Sequence, residues 1–337
     1  MNPYAANKAL AHPSILEALA RGENPSPAHL QLILTNRCNH NCSFCAYRMD
    51  GYASAQDFHV KDEITLTDAL IIITYFADMG GKALQLTGGG EPLVHPHFCE
   101  IVDYAHHRGL QVGVVTNGSR MGEREREALS DAAWVRVSID AGTPETYAKV
   151  RHVRPEMFTR AIENLRQLRG PYRGIGFVVT EDNWREIPQI VEIAEDLGVD
   201  SLRLAAIFST EGADYYRGFG DEAAELCRKA AEKPFVTDNF AVRFADLQQG
   251  APDYERCAYQ HFTTYIGADM NLYRCCVTSY NERGLVGSLR DETLPNLWQR
   301  MSEPFDARGC ECCQFNDRNR AMNQLIDSYP TLHADFV

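Results

Sequence analysis

The middle of the chain alternates short apolar runs with longer segments in which apolar residues recur every three to four positions. The runs are nearly continuous, as in strands that are covered on both faces, and they predict strands at Leu30–Thr35, Ala83–Thr87, Gln111–Thr116, Trp134–Ile139, Gly174–Thr180 and Ser201–Ile207. The periodic segments predict helices at Leu66–Asp78, Pro96–Arg108, Glu123–Ala132, Phe158–Leu168 and Arg185–Leu197. This alternation predicts an α/β fold with a parallel sheet, in which ligands bind at the carboxyl ends of the strands.

The pattern changes after the sixth predicted strand. Residues 208–221 are rich in glycine, tyrosine and acidic residues and predict a loop, which the helix Glu222–Glu232 follows. Two further runs, His261–Ile266 and Asn271–Arg274, predict a β-hairpin, and Leu294–Met301 predicts a short helix. We therefore divide the chain into an extension (1–28), a parallel-sheet domain (29–215), a connecting helix and loop (216–250), a small hairpin and helix domain (251–320) and a tail (321–337).

Composition restricts the setting in which the protein works. The 337 residues, 45% of them hydrophobic, give room for about two domains. The N-terminal residues do not resemble a secretion signal, and no apolar run approaches the ~18 residues of a membrane span. Eleven cysteines in such a chain favour metal ligation in a reducing compartment over disulfides. We therefore expect a cytoplasmic protein with no membrane partner.

The net charge of −13 disfavours broad binding to nucleic acid. Six arginines nevertheless fall between residues 151 and 173. A solvated helix face is the favoured interpretation of this cluster, and a local groove for nucleic acid stays open as the alternative.

Three cysteines carry the most specific chemistry. Cys38, Cys42 and Cys45 are spaced C-x3-C-x2-C. Three thiolates so close together can bind three corners of a cubane iron–sulfur cluster, which leaves the fourth iron open. An odd number of cysteines does not suit a disulfide framework. A zinc site with His40 as a fourth ligand is the remaining alternative, although structural zinc loops usually pair C-x2-C with a distant second pair.

About 45 residues further on, the second predicted strand ends in the sequence LQLTGGGEP. Three glycines allow a turn that a ligand can approach closely, and Glu91 places one carboxylate at its tip. Alone, this segment would be an ordinary glycine-rich turn.

Together, the cysteine and glycine motifs, with Phe44 before the last cysteine, resemble the radical S-adenosylmethionine superfamily. The resemblance implies a partial (β/α)6 TIM-like barrel and a [4Fe–4S] cluster whose open iron is chelated by S-adenosylmethionine. A flavodoxin- or ferredoxin-type reductant would reduce the cluster, and cleavage of the sulfonium would give a 5′-deoxyadenosyl radical. The implied cofactor-binding residues lie at the ends of the strands: Gly89, Gly90 and Glu91 at the amino group, with Phe44, Asn117, Ser138 and Arg151 as further contacts. Asn117 alternatively serves only as a turn residue, and Asp140 as a helix N-cap or turn residue.

A second set of cysteines follows residue 250 (Cys257, Cys275, Cys276, Cys310, Cys312 and Cys313). It resembles the auxiliary-cluster module of this superfamily in its short, SPASM/twitch-type form. That resemblance implies a second [4Fe–4S] cluster on Cys257, Cys275, Cys310 and Cys313. Cys276 is an alternative to Cys275, Cys312 is an alternative to either closing thiol, and a four-cysteine zinc site is the rival. Spare Cys276 is either a hydrogen-atom donor to a substrate radical or a packed thiol.

The turn of the hairpin departs from the module's usual Asp-Gly. Asp269-Met270 stands in its place, which predicts a turn that does not need a positive φ.

The function expected from these features is hydrogen abstraction from a small molecule. Twenty-eight residues before the first domain are too few for a separate peptide-recognition domain. The sequences around the two motifs also resemble those of radical S-adenosylmethionine proteins that act on nucleosides. We therefore favour a nucleoside, nucleotide-sugar or modified nucleobase. A peptide or an aminocyclitol or other sugar is the alternative. A non-catalytic iron–sulfur or zinc protein is the second alternative, against which Glu91 argues because an electron carrier does not need it.

Overall fold

The computed structural model describes residues 6–48, 56–208 and 211–329. Its strands form one sheet of ten in the order β10-β9-β8-β1-β2-β3-β4-β5-β6-β7. The strands are β1 His29–Leu32, β2 Ala83–Leu86, β3 Gln111–Thr116, β4 Trp134–Ser138, β5 Tyr172–Val179, β6 Ser201–Ala206, β7 Val236–Asn239, β8 Thr263–Ile266, β9 Asn271–Tyr273 and β10 Leu285–Ser288.

The helices lie between these strands and at the two ends of the chain. They are α1 Pro13–Ala20, α2 Leu66–Asp78, α3 Phe98–His107, α4 Glu123–Ala128, α5 Pro144–Arg151, α6 Glu156–Gln167, α7 Ile187–Leu197, α8 Gly220–Ala230, α9 Phe240–Gln249, α10 Leu294–Gln299 and α11 Asn316–Asp327. Local chemistry explains several boundaries. Thr65 caps α2 by accepting the amide hydrogen of Asp68 over 3.1 Å, and Gly198 ends α7 in the left-handed conformation.

Strands β1 to β7 are parallel neighbours, so the predicted α/β fold is confirmed. Alternation along β4 separates two faces of the sheet. Val135 and Val137 are fully buried in the main hydrophobic core, which the helices cover. Arg136 and Ser138 alternate with them and therefore belong to the inner face of the partial barrel.

The segment predicted as a connecting helix and loop (216–250) contains a seventh strand. β7 has the sequence VTDN and pairs in parallel with β6. Three of these four residues are polar and give no strand pattern, so only pairing with β6 selects this conformation.

The predicted hairpin joins the barrel sheet directly. β8 pairs in parallel with β1 and antiparallel with β9. The expectation that its turn needs no positive φ is wrong, because Met270 has φ 67°. The side chain of Asp269 accepts the amide hydrogen of Asn271 over 3.2 Å, and this bond holds the turn around the strained methionine.

The two ends of the chain meet on one side of the sheet. α11 contacts α1, and a small core that includes Ile15, Phe262 and Met322 lies at this junction. Residues 321–327 of the predicted tail are therefore helical, and residues 330–337 lie outside the described part. Within the described ranges, no helix has the length and apolar character needed to cross a membrane.

Candidate active site

The loop that carries Cys38, Cys42 and Cys45 leaves β1 at the carboxyl edge of the sheet, beside the glycine turn after β2. Two backbone bonds join them: Gly90 donates to the carbonyl of Thr35 over 2.8 Å, and Glu91 donates to the carbonyl of Arg37 over 2.9 Å. A Cβ atom at Gly90 would lie 1.9 Å from the carbonyl oxygen of Arg37. The glycine is therefore required by the close approach of the cysteine loop, and the two sequence motifs form one unit.

Helix α5 holds the other side of the cysteine loop. The amides of Asn41 and Ser43 donate to the carbonyls of Arg151 and Val150 over 3.2 and 3.0 Å. The three thiols are free and partly exposed, and burial raises the pKa of Cys42 to about 12. A cluster must therefore displace thiol protons when it binds. Three free thiols on one braced loop are the donor set that a site-differentiated [4Fe–4S] cluster requires.

Glu91 lies buried between this loop and β3. Its carboxylate accepts hydrogen bonds from the Thr116 hydroxyl over 2.6 Å, the Asn117 amide over 2.7 Å and the Leu93 amide over 3.1 Å. Burial raises the pKa of Glu91, and the hydrogen bonds from Asn117 and Thr116 oppose that rise. With about four lone-pair positions, the carboxylate retains room for one further donor such as an ammonium group.

Asn117 does more than complete a turn. Its side-chain amide donates to Asn39 Oδ1 over 2.9 Å, while its own oxygen accepts from the Ser119 amide over 2.9 Å. It therefore joins the end of β3 to the cysteine loop next to Cys38. Its predicted contact with the cofactor stays a prediction.

Arg151 is engaged inside the protein. Its guanidinium forms a buried ion pair with Asp140 and donates to His40 Nδ1 over 3.2 Å. Burial, with Arg151 as a second cause, lowers the pKa of His40 to about 3, so this imidazole is neutral. The predicted pairing of Arg151 with the cofactor carboxylate would have to compete with Asp140.

Asp140 is a turn residue in this arrangement. It has φ 55° and accepts the amide hydrogen of Val178 over 2.6 Å. The N-cap alternative is wrong, because Thr143 caps α5 by accepting the amide hydrogen of Thr146 over 3.3 Å.

Ser138 ends β4 on the inner face, where it lies in register with Gly176 of β5. Gly176 is in turn in register with Arg203 of β6, and the Arg136 side chain passes over Gly176. Sequence reasoning missed these two arginines, although the alternation of β4 could have placed Arg136 beside Ser138. Phe44, predicted as a cofactor contact, is partly buried and packs against the main core.

The second cysteine set comes together around one cavity. Five thiols line it: Cys257, Cys275, Cys310, Cys312 and Cys313. Cys313 is a hydrogen-bond acceptor for the Tyr254 hydroxyl over 3.4 Å and the Phe315 amide over 3.3 Å. A hydrogen bond from Arg283 opposes the rise that burial causes in the pKa of Cys310. These donors offset only part of the effect of burial, which still raises the pKa of Cys313 to about 11. Cys312 packs against the main core.

Cys276 is not among the residues that line the auxiliary cavity. Gln314 Nε2 donates to its sulfur over 3.0 Å, and it packs with Ile33 and Tyr265. The Tyr265 hydroxyl lies 2.7 Å from that of Tyr47, two residues after Cys45. Cys276 therefore lies between the two cysteine sites, as the hydrogen-donor and packed-thiol alternatives would both allow.

Tyr280 connects the hairpin to the cysteine loop, and sequence reasoning missed it. Its hydroxyl donates to Asn36 Oδ1 over 2.7 Å and accepts the Ala268 amide hydrogen over 2.9 Å. Its φ of 53° shows that the backbone is strained to make these contacts.

Across the described ranges, no three cysteine, histidine or acidic side chains lie close enough to share one metal ion. A four-iron cluster is wider than a single ion, and cysteine thiols such as those of the two sites are the donors that it requires.

Fold and site together define a partial barrel with three free thiols and one buried carboxylate at the carboxyl edge of its sheet. The family model of the radical SAM superfamily matches residues 32–194 of this chain. Mycofactocin maturase MftC of Mycobacterium ulcerans is 29% identical over 332 residues, which are 92% of this chain and 86% of that protein.

Two solved structures share the fold. SuiB of Streptococcus suis, bound to S-adenosylmethionine, matches with a TM-score of 0.63 and 15% identity over 88% of this chain and 72% of its own. The enzyme anSMEcpe with bound AdoMet has the same TM-score and identity over 90% and 93% of the two chains. Both of these solved structures contain bound S-adenosylmethionine.

Proposed function

We propose that this radical SAM enzyme modifies a peptide. The observation that carries the proposal is the similarity to the maturase MftC, because it extends over 92% of this chain and so includes both cysteine regions. Further support comes from SuiB bound to the precursor peptide SuiA and anSMEcpe bound to the Kp18Cys peptide. These relatives support the peptide alternative better than the nucleoside class that the sequence favours.

The proposed ligands follow from the two cysteine sites. Cys38, Cys42 and Cys45 would hold the barrel cluster, and Cys257, Cys275, Cys310 and Cys313 would hold the auxiliary cluster. When bound, the barrel cluster and S-adenosylmethionine supply a 5′-deoxyadenosyl radical. Glu91 would accept the cofactor's ammonium group at its remaining lone-pair position.

The inner face of the barrel supports a substrate with carboxylate groups. Arg136 on β4 and Arg203 on β6 lie on either side of the glycine floor at Gly176. Guanidinium groups match carboxylates in shape and charge, and a peptide supplies carboxylates from acidic side chains or its C-terminus. The protein's part is to orient the peptide and to exclude water from the reacting carbon.

The test is substrate-stimulated formation of 5′-deoxyadenosine by the reconstituted enzyme with dithionite. Peptides from short reading frames next to the gene are compared with a matched panel of nucleosides and nucleotide-sugars. We expect a peptide to raise the rate and to change in mass. Stimulation by a nucleoside together with no change in any peptide would overturn the proposal.

A further inference from the structure

A cleft on the outside of the barrel reaches the cysteine loop. We call it the arginine cleft, and its main lining residues are Asn39, Ser119, Arg120, Met121, Met157 and Arg160. Arg120, Arg160 and Asn39 are exposed, whereas Met121 is buried and Met157 is partly buried. The cleft therefore combines an apolar floor with a positively charged rim, which is the usual anatomy of a protein interface.

The floor of the cleft is directly joined to the candidate cluster site. Asn39 follows Cys38 in the chain, and its side-chain amide donates to Ser119 Oγ over 2.8 Å. Asn117, which bonds Asn39, also donates its backbone amide hydrogen to Glu91. A partner seated in the cleft would thus be separated from the Cys38 thiol by little more than one residue.

The charge of the cleft contrasts with that of the whole chain, which is −13. Exposed arginines elsewhere are commonly neutralised by acidic neighbours, as in the pairs Arg166–Asp196 and Arg228–Glu225. Arg120 and Arg160 have no such ion pair within the described residues. An acidic partner would be repelled by most of this surface and attracted here.

We propose that the arginine cleft is the docking surface for an acidic one-electron donor protein of the flavodoxin type. The proposal rests on the assignment of Cys38, Cys42 and Cys45 as ligands of the barrel cluster. On transfer, the anionic flavin hydroquinone would lose one electron and become the neutral semiquinone, with no proton released. That electron would take the barrel cluster from the 2+ to the 1+ state.

The test compares Arg120→Glu/Arg160→Glu with the charge-matched control Arg217→Glu/Arg228→Glu, whose arginines form exposed ion pairs at α8 and the loop before it. Binding of a flavodoxin to the reconstituted holoenzymes is measured by calorimetry at low and high salt. We expect the cleft variant to bind about tenfold more weakly at low salt and the control to bind as the wild type does, with the difference shrinking at high salt.

A second readout separates docking from damage to the site. Flavodoxin-driven formation of 5′-deoxyadenosine should fall in the cleft variant, while dithionite-driven formation should match the wild type. Unchanged flavodoxin affinity, or an equal loss with dithionite, would overturn the proposal. Calorimetry needs no turnover, so a failure of the radical assignment would appear separately, as an inactive wild type with dithionite.

Discussion

The two cysteine sites are built in opposite ways. The barrel site takes three thiols from one loop of eight residues, Cys38 to Cys45, and backbone bonds hold that loop to the glycine turn and to α5. The auxiliary site takes its thiols from three separate segments, and side chains such as Tyr254 complete it. The barrel site is thus a local motif braced by the sheet, whereas the auxiliary site exists only after the chain has folded around it.

The largest expected difference between the two sites is in 5′-deoxyadenosine formation after the thiols of each site are removed separately. Changing Cys38, Cys42 and Cys45 to alanine should abolish 5′-deoxyadenosine formation, because the open-iron cluster loses every protein ligand. Changing Cys257, Cys275, Cys310 and Cys313 should leave this cleavage measurable in the absence of substrate. Chromatography of anaerobic reactions checks both. Cleavage by the triple variant at the wild-type rate would contradict the assignment.

A single substitution can decide whether Cys275 or Cys276 is the ligand in the auxiliary site. Cys275→Ser should cost the protein about four iron atoms, since the thiol lines the cavity. Cys276→Ser is the matched control. The Cys276 thiol accepts a hydrogen bond from Gln314 and does not line the cavity, so its replacement should leave the iron content unchanged. Iron analysis after reconstitution makes the comparison, and the reverse result would exchange the two assignments.

The bracing of the barrel site depends on Gly90. Gly90→Ala would drive a Cβ atom against the Arg37 carbonyl, and overpacking of this kind costs ~1–3 kcal/mol. We expect S-adenosylmethionine affinity to fall about tenfold, which corresponds to ~1.4 kcal/mol. Gly109→Ala is the control for a strained turn away from the site, because that glycine has φ 75° but its Cβ would meet open space. If both variants bound S-adenosylmethionine with equal affinity, Gly90 would not be needed to hold the cysteine loop in place.

The smallest expected effect concerns pH and the hairpin side of the molecule. Burial, aided by Arg274, lowers the pKa of His261 from 6.5 to about 4. As the pH falls below 6.5, His261 is protonated in the unfolded chain but stays neutral in the folded protein, which favours unfolding. The stability that depends on neutral His261 is therefore complete above pH 6.5 and is lost as the pH falls toward 4. His261→Gln should show a smaller drop in urea midpoint between neutral pH and pH 5 than the wild type. Exposed His107→Gln is the control, and identical pH dependence in all three proteins would refute this role.

The same contrast explains what could be predicted from sequence. The cysteine loop and Glu91 were predictable because each is a contiguous motif at the end of an apolar strand. The choice between Cys275 and Cys276 was not, since neighbouring residues point in different directions and only the fold shows which one meets the cavity. The Asp140–Arg151 pair was missed for a similar reason, because α5 must first return its last residue to the turn after β4.

Strand β7 and the turn at Met270 show how tertiary contacts override local signals. VTDN has little strand pattern, yet the edge of β6 orders it. Met270 has a positive φ although its type disfavours one, because the hairpin must pair β8 with β9 over a short turn.

We propose that the cluster on Cys38, Cys42 and Cys45 meets S-adenosylmethionine and that the auxiliary cluster does not. Electron paramagnetic resonance of the dithionite-reduced triple and quadruple alanine variants, with and without S-adenosylmethionine, tests it directly. We expect the cofactor to shift the signal of the variant that keeps Cys38, Cys42 and Cys45, and to leave the signal of the other variant unchanged. A shift in the variant that keeps only the auxiliary cysteines, with none in its counterpart, would contradict it.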